Sequence, residues 1–182
     1  MSQKINLLIS LSKRRNQKAQ MKLYKLYCEA MFFIANRYMK SEEEAKDVVQ
    51  ESFLKAFSKL ESYTEKISFG AWLKRIVINQ CIDVLKKKQL EMISLDNYPL
   101  EIIDENNWEF DIEITKEMIL EAIEELKQKH QLVIKLYLIE GYDHSEISEI
   151  LNIPVKTSRT HLRRGKLELQ ELLKAQKDEA RY

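Results

Sequence analysis

Apolar residues recur every three or four positions over most of this chain, which is the spacing of one face of an α-helix. The spacing predicts a helix from Lys18 to about Lys40. Its apolar positions are Met21, Tyr24, Leu26, Met31, Phe32, Ile34, Ala35 and Tyr38.

Ser41 marks the start of a second helix, because a serine side chain can accept hydrogen bonds from the free amides of a first turn. Glu44, three residues later, completes a capping-box pattern. The polar stretch LESYTEKISFGAW then precedes a long helix, predicted from about Gly70 to Lys88. The apolar side of the second helix is predicted to carry Ala45, Val48, Val49, Phe53, Leu54 and Phe57.

Residues 91–113 lose this periodicity and contain Pro99 and three asparagines, which predicts a linker. Helical spacing resumes from Thr115 to Lys127. The segment HQLVIKLYLIEG then predicts another helix, which ends at Gly141.

The segment HSEISEILNIPVKTSRTHLRRGKLELQ predicts two helices that meet at a tight corner. Ser145 is expected to cap the first helix, and Asn152 to take the left-handed conformation at the corner. Ile153 is expected to pack beneath the corner, and Pro154 to preorganise the first turn of the next helix. This layout is typical of a helix-turn-helix.

Only three glycines and two prolines interrupt the 182 residues, which favours an all-α fold. No glycine-rich loop is present that could cradle a nucleotide phosphate. The spacing of the two cysteines and three histidines fits neither a disulfide framework nor a metal site, so we expect no cofactor, no metal and a reducing cytoplasm.

The apolar run INLLISL near the N-terminus is short, and its basic cluster follows the run instead of preceding it. We therefore predict a cytosolic helix and not a signal peptide. No other segment has the length that a membrane span requires, so no membrane insertion is expected.

The net charge of +1 conceals a strong pattern along the chain. Residues 1–40 carry nine Lys or Arg and only Glu29 as an acid, a net charge of +8. Residues 91–126 carry twelve Asp or Glu against Lys116, a net charge of −11. The acidic middle suggests two modules joined by a tether.

The helix after Pro154 separates its apolar and basic residues on a wheel of about 100° per residue. The apolar side contains Val155, Ser158, Leu162, Gly165, Leu169 and Leu172. The opposite side contains Lys156, Arg159, Thr160, Arg163 and Arg164, with Lys166 at its margin. Solvated surface would explain such a face, but arginines behind a short capped helix favour nucleic-acid recognition.

A second polar stripe runs along the helix from Gly70 to Lys88, where Arg75, Asn79, Asp83 and Lys86 share one side. Cationic groups beside aromatic residues suit single-stranded bases. Core packing is the expected role of Phe69 and Trp72, whereas Tyr63, in the polar loop, is the candidate for base stacking. On the preceding helix, Asp47, Gln50, Glu51 and Lys55 share the outward side, for which solvated surface is the expected explanation.

Two segments together resemble a known family. EEEAKDVVQESFLKAFSKL followed by SFGAWLKRIVINQCIDVLKKK resembles region 2 of bacterial sigma-70 factors, and HQLVIKLYLIEGYDHSEISEILNIPVKTSRTHLRRGKLELQELL resembles region 4. The chain is similar to the minimal, extracytoplasmic-function (ECF) type. The resemblance implies two small helical domains joined by an acidic linker, at residues 1–90, 91–114 and 115–182.

The resemblance also implies partners and site residues. Asp47, Gln50 and Glu51 would bind the β′ clamp helices of core RNA polymerase, and region 4 would bind the β flap. Region 2 would recognise and melt the minus-ten promoter element and capture a flipped base of the non-template strand, and the acidic linker would approach the RNA path. The implied region 2 DNA contacts are Ser62, Tyr63, Lys74, Arg75, Asn79 and Lys86.

Region 4 would read the minus-thirty-five element in the major groove. Its implied DNA contacts are Lys156, Thr157, Arg159, Thr160, Arg163, Arg164 and Lys166. Of these, Arg164 and Lys166 are expected to contact phosphates. Proteins of this type commonly have an anti-sigma partner that masks the same surfaces.

The chain departs from the family pattern at four positions of the helix-turn-helix. Ser158 replaces an apolar β-branched residue, His161 an arginine, and Lys156 and Asn152 a glycine each. Three other functions are weighed against a sigma factor: a dimeric helix-turn-helix regulator of duplex operators, a helical protein-interaction adaptor, and an enzyme. The enzyme is disfavoured because the sequence contains no nucleophile–base pair, metal cluster or phosphate loop.

Overall fold

The computed structural model describes residues 2–90 and 114–179, and the described part of the chain contains helices and no strand. The predicted linker lies almost wholly outside the described residues. The described helices are α1 Ser2–Lys13, α2 Gln17–Asn36, α3 Glu42–Ser58, α4 Phe69–Leu90, α5 Lys116–Glu125, α6 Gln128–Ile134, α7 His144–Leu151 and α8 Val155–Glu179. They form two compact units, α1–α4 within Met1–Leu95 and α5–α8 within Asp96–Tyr182. The all-α prediction is confirmed.

In the N-terminal unit, α2 packs against α1, α3 and α4. The core follows from the helical spacing, because residues three or four apart reach the same side of each helix. An edge-to-face contact between Tyr24 and Phe53, with ring centroids 4.8 Å apart, joins α2 to α3. Leu23, Leu60, Leu73, Val77, Ile78 and Ile82 are almost completely buried.

The predicted cap of α3 is half confirmed. The Ser41 hydroxyl accepts a hydrogen bond from the Glu44 amide at 3.2 Å. The reciprocal bond is not made to Ser41, because the Glu44 carboxylate accepts from the Lys40 amide and from the Lys88 ammonium instead. The hydrogen bond from Lys88, 2.7 Å long, lowers the pKa of Glu44 and ties the end of α4 to the start of α3.

In the C-terminal unit, α8 packs against α5, α6 and α7. Thr115 caps α5 by accepting from the Met118 amide. Helix α6 continues into a π-helical turn, Lys135–Ile139, before Gly141 ends it with φ of +78°. The buried Lys135 ammonium lies 2.7 Å from the Glu124 carboxylate, which ties this turn to α5.

Gly165 allows α8 to lie close to α6. A Cβ atom at this position would lie 2.9 Å from Ile134 Cγ1 and 3.2 Å from His130 Cβ, closer than van der Waals contact. Next to it, His130 Nδ1 lies 2.7 Å from Glu168 Oε2, and both ends of this contact are largely shielded from water. The close approach fixes which side of α8 faces solvent.

Candidate nucleic-acid interface

The helix α7 begins at an aspartate and not at the predicted serine. Asp143 Oδ1 accepts from the amides of Ser145 and Glu146, and the Glu146 carboxylate accepts from the Asp143 amide. The prediction that Ser145 caps this helix is therefore wrong. Asp143 has the extended backbone of an N-cap, whereas Ser145 is already inside the first turn.

The corner between α7 and α8 forms as predicted. Asn152 has φ of 55° and ψ of 51°, the left-handed conformation that asparagine tolerates. Beneath it, the Ser148 hydroxyl donates to the Ile153 carbonyl at 2.6 Å, and the Ile153 amide donates back to the Ser148 carbonyl. Pro154 directly precedes α8, and its carbonyl accepts from the Ser158 amide. These bonds set the angle at which α8 leaves the corner.

A polar contact joins α7 to α8 at Ser158. Ser158 is completely buried, and its Oγ lies 2.9 Å from His144 Nδ1. The Tyr137 ring stacks on the His144 ring with centroids 4.8 Å apart. Burial, and then the charge of Arg159, lowers the pKa of His144, so the neutral ring is favoured at pH 7. A hydrogen bond thus replaces the apolar packing expected at Ser158.

The outward face of α8 carries the predicted basic residues, and their exposure differs. Lys156 and Arg159 are exposed, whereas Thr157, Thr160, Arg163, Arg164 and Lys166 are half-buried. Thr160 donates its hydroxyl to the Lys156 carbonyl, so this donor is used within the helix. Arg164 and Lys166 interact with other groups of the protein. Lys156 and Arg159 are therefore the side chains most available to a groove.

Two further residues change the electrostatics of this face. Arg163 lies partly within the protein surface, with Nε and Nη2 buried and without a hydrogen-bond partner. Burial, with the neighbouring charges of His130, Lys129 and Arg164, lowers the pKa of His161 to about 4. His161 is consequently neutral at pH 7 and contributes no positive charge to this face.

In the N-terminal unit, the ring of Tyr63 is buried. It packs edge-to-face on Phe69 and tilted on Trp72, and its hydroxyl donates to the Ile67 carbonyl at 2.7 Å. The expected core role of Phe69 holds, but Tyr63 belongs to the same cluster, which argues against the predicted stacking of a base on it. Ile67, whose side chain is 51% exposed, is the apolar residue that the loop actually presents.

The polar face of α4 is present but unevenly exposed. Asn79 and Asp83 are exposed, whereas Lys74, Arg75 and Lys86 are half-buried. Lys74 and Arg75 both interact with other groups of the protein. Ser62, at the start of the loop, is exposed, and its hydroxyl donates to the Lys59 carbonyl.

The outward face of α3 contains an apolar residue that the sequence analysis placed on the core side. Asp47, Gln50 and Glu51 are exposed, and Leu54 is 66% exposed beside them. Leu54 lies seven residues after Asp47, about two helical turns, so the two share one face. The sequence analysis placed Leu54 on the core side because it grouped it with the nearby apolar residues Phe53 and Phe57.

The described residues were also searched for a cluster of metal ligands and for a membrane-spanning helix. Within residues 2–90 and 114–179, no three His, Cys, Asp or Glu side chains are grouped so that they could hold a metal ion. No helix of this part of the chain combines the length and the apolar character that crossing a bilayer requires.

Comparison with known proteins matches both units. The family model of Sigma-70 region 2 matches residues 23–91, and that of Sigma-70, region 4 matches residues 116–169. The ECF RNA polymerase sigma factor SigW of Bacillus subtilis is 29% identical over 173 residues, which cover 89% of this chain and 92% of SigW. The ECF RNA polymerase sigma-E factor of Escherichia coli is 27% identical over 171 residues, 87% of this chain and 88% of that factor.

Two solved structures share the fold. One is CnrH in complex with the cytosolic domain of CnrY, with a TM-score of 0.56 and 23% identity over 93% of this chain and 96% of CnrH. The other is the sigma factor RpoE of Bartonella quintana in complex with the anti-sigma factor NepR, with a TM-score of 0.57 and 20% identity over 85% of this chain and 96% of RpoE.

The contact between His144 and Ser158 predicts a graded response to substitution. His144→Leu leaves the buried Ser158 hydroxyl without this partner, and we expect the C-terminal unit to lose about 1–3 kcal/mol of unfolding free energy. His144→Asn places an amide near the position of Nδ1, so it should retain most of that free energy. Hydrogen exchange of the α7 and α8 amides measures the difference.

The double variant His144→Leu/Ser158→Val is the control. It replaces both polar partners by apolar ones, and we expect it to recover stability relative to His144→Leu alone. Equal stability of the Leu and Asn variants would show that the hydrogen bond does not hold α7 on α8.

Proposed function

The chain belongs to the ECF subfamily of the sigma-70 family and acts as a sigma factor in transcription initiation, and we propose that its two units divide the work of polymerase binding and promoter recognition. Residues 1–90 would bind core RNA polymerase and the minus-ten element. Residues 115–182 would bind the minus-thirty-five element, and residues 91–114 would form the acidic connection. The observation that supports this division most strongly is the match of both regions, in order, with one region on each compact unit.

We propose that the outward face of α3 binds the β′ clamp helices of the polymerase. The face carries the exposed Asp47, Gln50 and Glu51, and Leu54 adds an apolar side chain among them. An exposed leucine next to polar residues resembles the composition of protein interfaces, in which a few apolar anchors supply most of the binding energy.

Promoter melting is assigned to the loop Ser62–Ser68 and the polar face of α4. Most of the loop is exposed, and Asn79 offers an amide that can hydrogen-bond to a base edge. Because Tyr63 is buried, a flipped base would contact the exposed part of this loop, including Ile67, unless the aromatic cluster opens. Lys74, Arg75 and Lys86 would contact the DNA beside this loop.

For the upstream element, we propose that α8 enters the major groove with Lys156 and Arg159 leading. Arginine binds guanine edges in a bidentate manner, and lysine binds guanine or phosphate. Thr157, Thr160 and Arg163 would follow along the same face, whereas Arg164 and Lys166 would contact phosphates. The β flap of the polymerase would hold this unit in place.

We infer that the chain has no catalytic activity of its own and works in the cytoplasm, where the polymerase transcribes. Sigma factors are not a class of enzymes, and the polymerase provides the chemistry of RNA synthesis. An anti-sigma partner that covers the polymerase-binding and DNA-binding faces would regulate it, as the family resemblance implies.

The test of this function is run-off transcription with purified core polymerase and a library of promoters. We expect the full chain to bind core polymerase and to direct initiation at a subset of promoters. Absence of both would contradict the proposal. Tight binding of the free chain to duplex DNA would favour a conventional operator-binding regulator instead.

Leu54 provides a test of the polymerase face. We expect Leu54→Ala to weaken core binding about tenfold, since an apolar anchor buried at an interface contributes more than 1 kcal/mol. Leu7→Ala is the matched control, because Leu7 is a similarly exposed leucine, on α1 and outside the proposed face. Titration of labelled core polymerase measures both affinities, and an equal effect of the two changes would exclude a specific role for Leu54.

Arg159 provides a test of the DNA face. If it contacts a base, Arg159→Ala should cost on the order of 1–3 kcal/mol of holoenzyme binding and relax specificity at one upstream position. Lys174→Ala, an exposed change further along the same helix, should have little effect. A uniform and salt-sensitive loss would instead indicate a phosphate contact, and no loss at all would mark this residue as solvated surface.

A further inference from the structure

We propose that the turn between α1 and α2 and the first half of α2 bind the phosphate backbone of promoter DNA. This basic α2 surface consists of Arg14, Arg15, Lys18, Lys22 and Lys25. It lies outside the faces assigned above to polymerase binding, base recognition and the upstream element. The inference rests on the proposed function, because it presumes that the N-terminal unit handles DNA.

The five side chains are all exposed. On α2, Lys18, Lys22 and Lys25 fall within about 60° of one another, because residues three and four apart share one side of a helix. They span about 10 Å along the helix axis. Arg14 and Arg15 continue the stripe into the preceding turn, where Arg15 has φ of 59°.

The placement of these charges is unfavourable for the helix itself. The dipole of a helix favours acids at its N-terminus and bases at its C-terminus, whereas α2 has no acid in its first turn and no base in its last. Lysines at spacings of three and four also repel one another. By contrast, α3 places Glu42, Glu43 and Glu44 in its first turn and Lys55 in its last.

The described part of the chain supplies no ion pair that offsets this cost. Among the described residues, none of the five basic side chains forms an ion pair, although Glu29 is exposed one turn after Lys25. A cationic surface that lowers helix stability and forms no ion pair among the described residues is consistent with an external polyanion as its partner.

The basic α2 surface is adjacent to the loop proposed to open the minus-ten element. The Lys13 ammonium, at the end of α1, donates to the Tyr63 carbonyl at 3.3 Å, and α1 packs against the 3₁₀ turn Leu60–Ser62 that begins this loop. DNA held by the loop would therefore pass close to Arg14 and Arg15. This continuity favours DNA over an acidic protein surface as the occupant.

Lysines dominate the helical part of this surface. Lysine acts as a flexible point charge, which suits phosphates and does not select bases. We therefore expect the surface to strengthen binding of every promoter by a similar factor and to increase the dependence of that binding on salt.

The test measures the affinity of the holoenzyme for a fork-junction DNA that carries a minus-ten element selected in the run-off experiment, over a series of salt concentrations. For Lys18→Gln/Lys22→Gln/Lys25→Gln, we expect the slope of log affinity against log salt to decrease by about 2–3, and the affinity at 0.1 M salt to fall on the order of tenfold or more. The same substitutions to arginine should preserve both. The thermal unfolding midpoint of the glutamine variant should equal or exceed that of the wild type, since the substitutions remove the mutual repulsion of the three lysines and the unfavourable charge of Lys18 in the first turn.

The matched control is Lys116→Gln/Lys127→Gln/Lys174→Gln, which removes three exposed charges from the other unit, outside every proposed site. It should leave the slope almost unchanged. Wild-type affinity and slope in the Lys18, Lys22 and Lys25 variant would overturn the inference, as would a loss confined to core polymerase binding or to one DNA sequence. If the wild-type holoenzyme itself shows no promoter binding, the proposed function fails first, which is a distinguishable result.

Discussion

At Gly165, helix α8 lies so close to α6 that a single added methyl group would meet Ile134 and His130 at 2.9 and 3.2 Å. Protein interiors are packed too densely to absorb such a contact without a shift of side chains or backbone. The approach therefore fixes the rotation of α8 about its own axis. With Ser158, Leu162, Gly165 and Leu169 turned inward, the exposed basic residues are left on the opposite side. The face of α8 proposed to bind DNA is therefore positioned by a packing contact on the opposite side of the same helix.

Polar contacts set the position of α8 relative to α7. Asp143 caps α7, Ser148 holds the Ile153 carbonyl, and His144 meets the buried Ser158. A buried hydroxyl is costly unless it is paired, so the histidine and the serine are interdependent. The chain thus retains the helix-turn-helix architecture while replacing one of its apolar contacts by a hydrogen bond.

Charged residues play different roles on α3, α2 and α8. The acids and bases of α3 follow the helix dipole, and the salt bridge from Lys88 to Glu44 stabilises the start of that helix. On α2, Lys18 in the first turn opposes the dipole, and Lys18, Lys22 and Lys25 repel one another. On α8, His161 is neutral at pH 7 and Arg163 is partly covered, which concentrates the available charge on Lys156 and Arg159. A formal count of basic residues would therefore overstate the cationic character of the recognition helix.

Local sequence patterns were sufficient to predict the helices, the left-handed corner at Asn152, the cap by Ser41 and the apolar side of α8. These features are local, since each depends on residues within one or two turns of a helix. The Asp143 cap and the exposure of Leu54 are local as well, although the sequence analysis missed both: Asp143 and Glu146 form a capping box, and Leu54 shares a helical face with Asp47. Packing between distant elements decided the burial of Tyr63 and the partner of Ser158. Those outcomes depend on which distant element arrives beside a residue, as Phe69 and Trp72 do beside Tyr63. Periodicity identifies the side of a helix that is apolar, but only packing decides how far a side chain at its edge is removed from water.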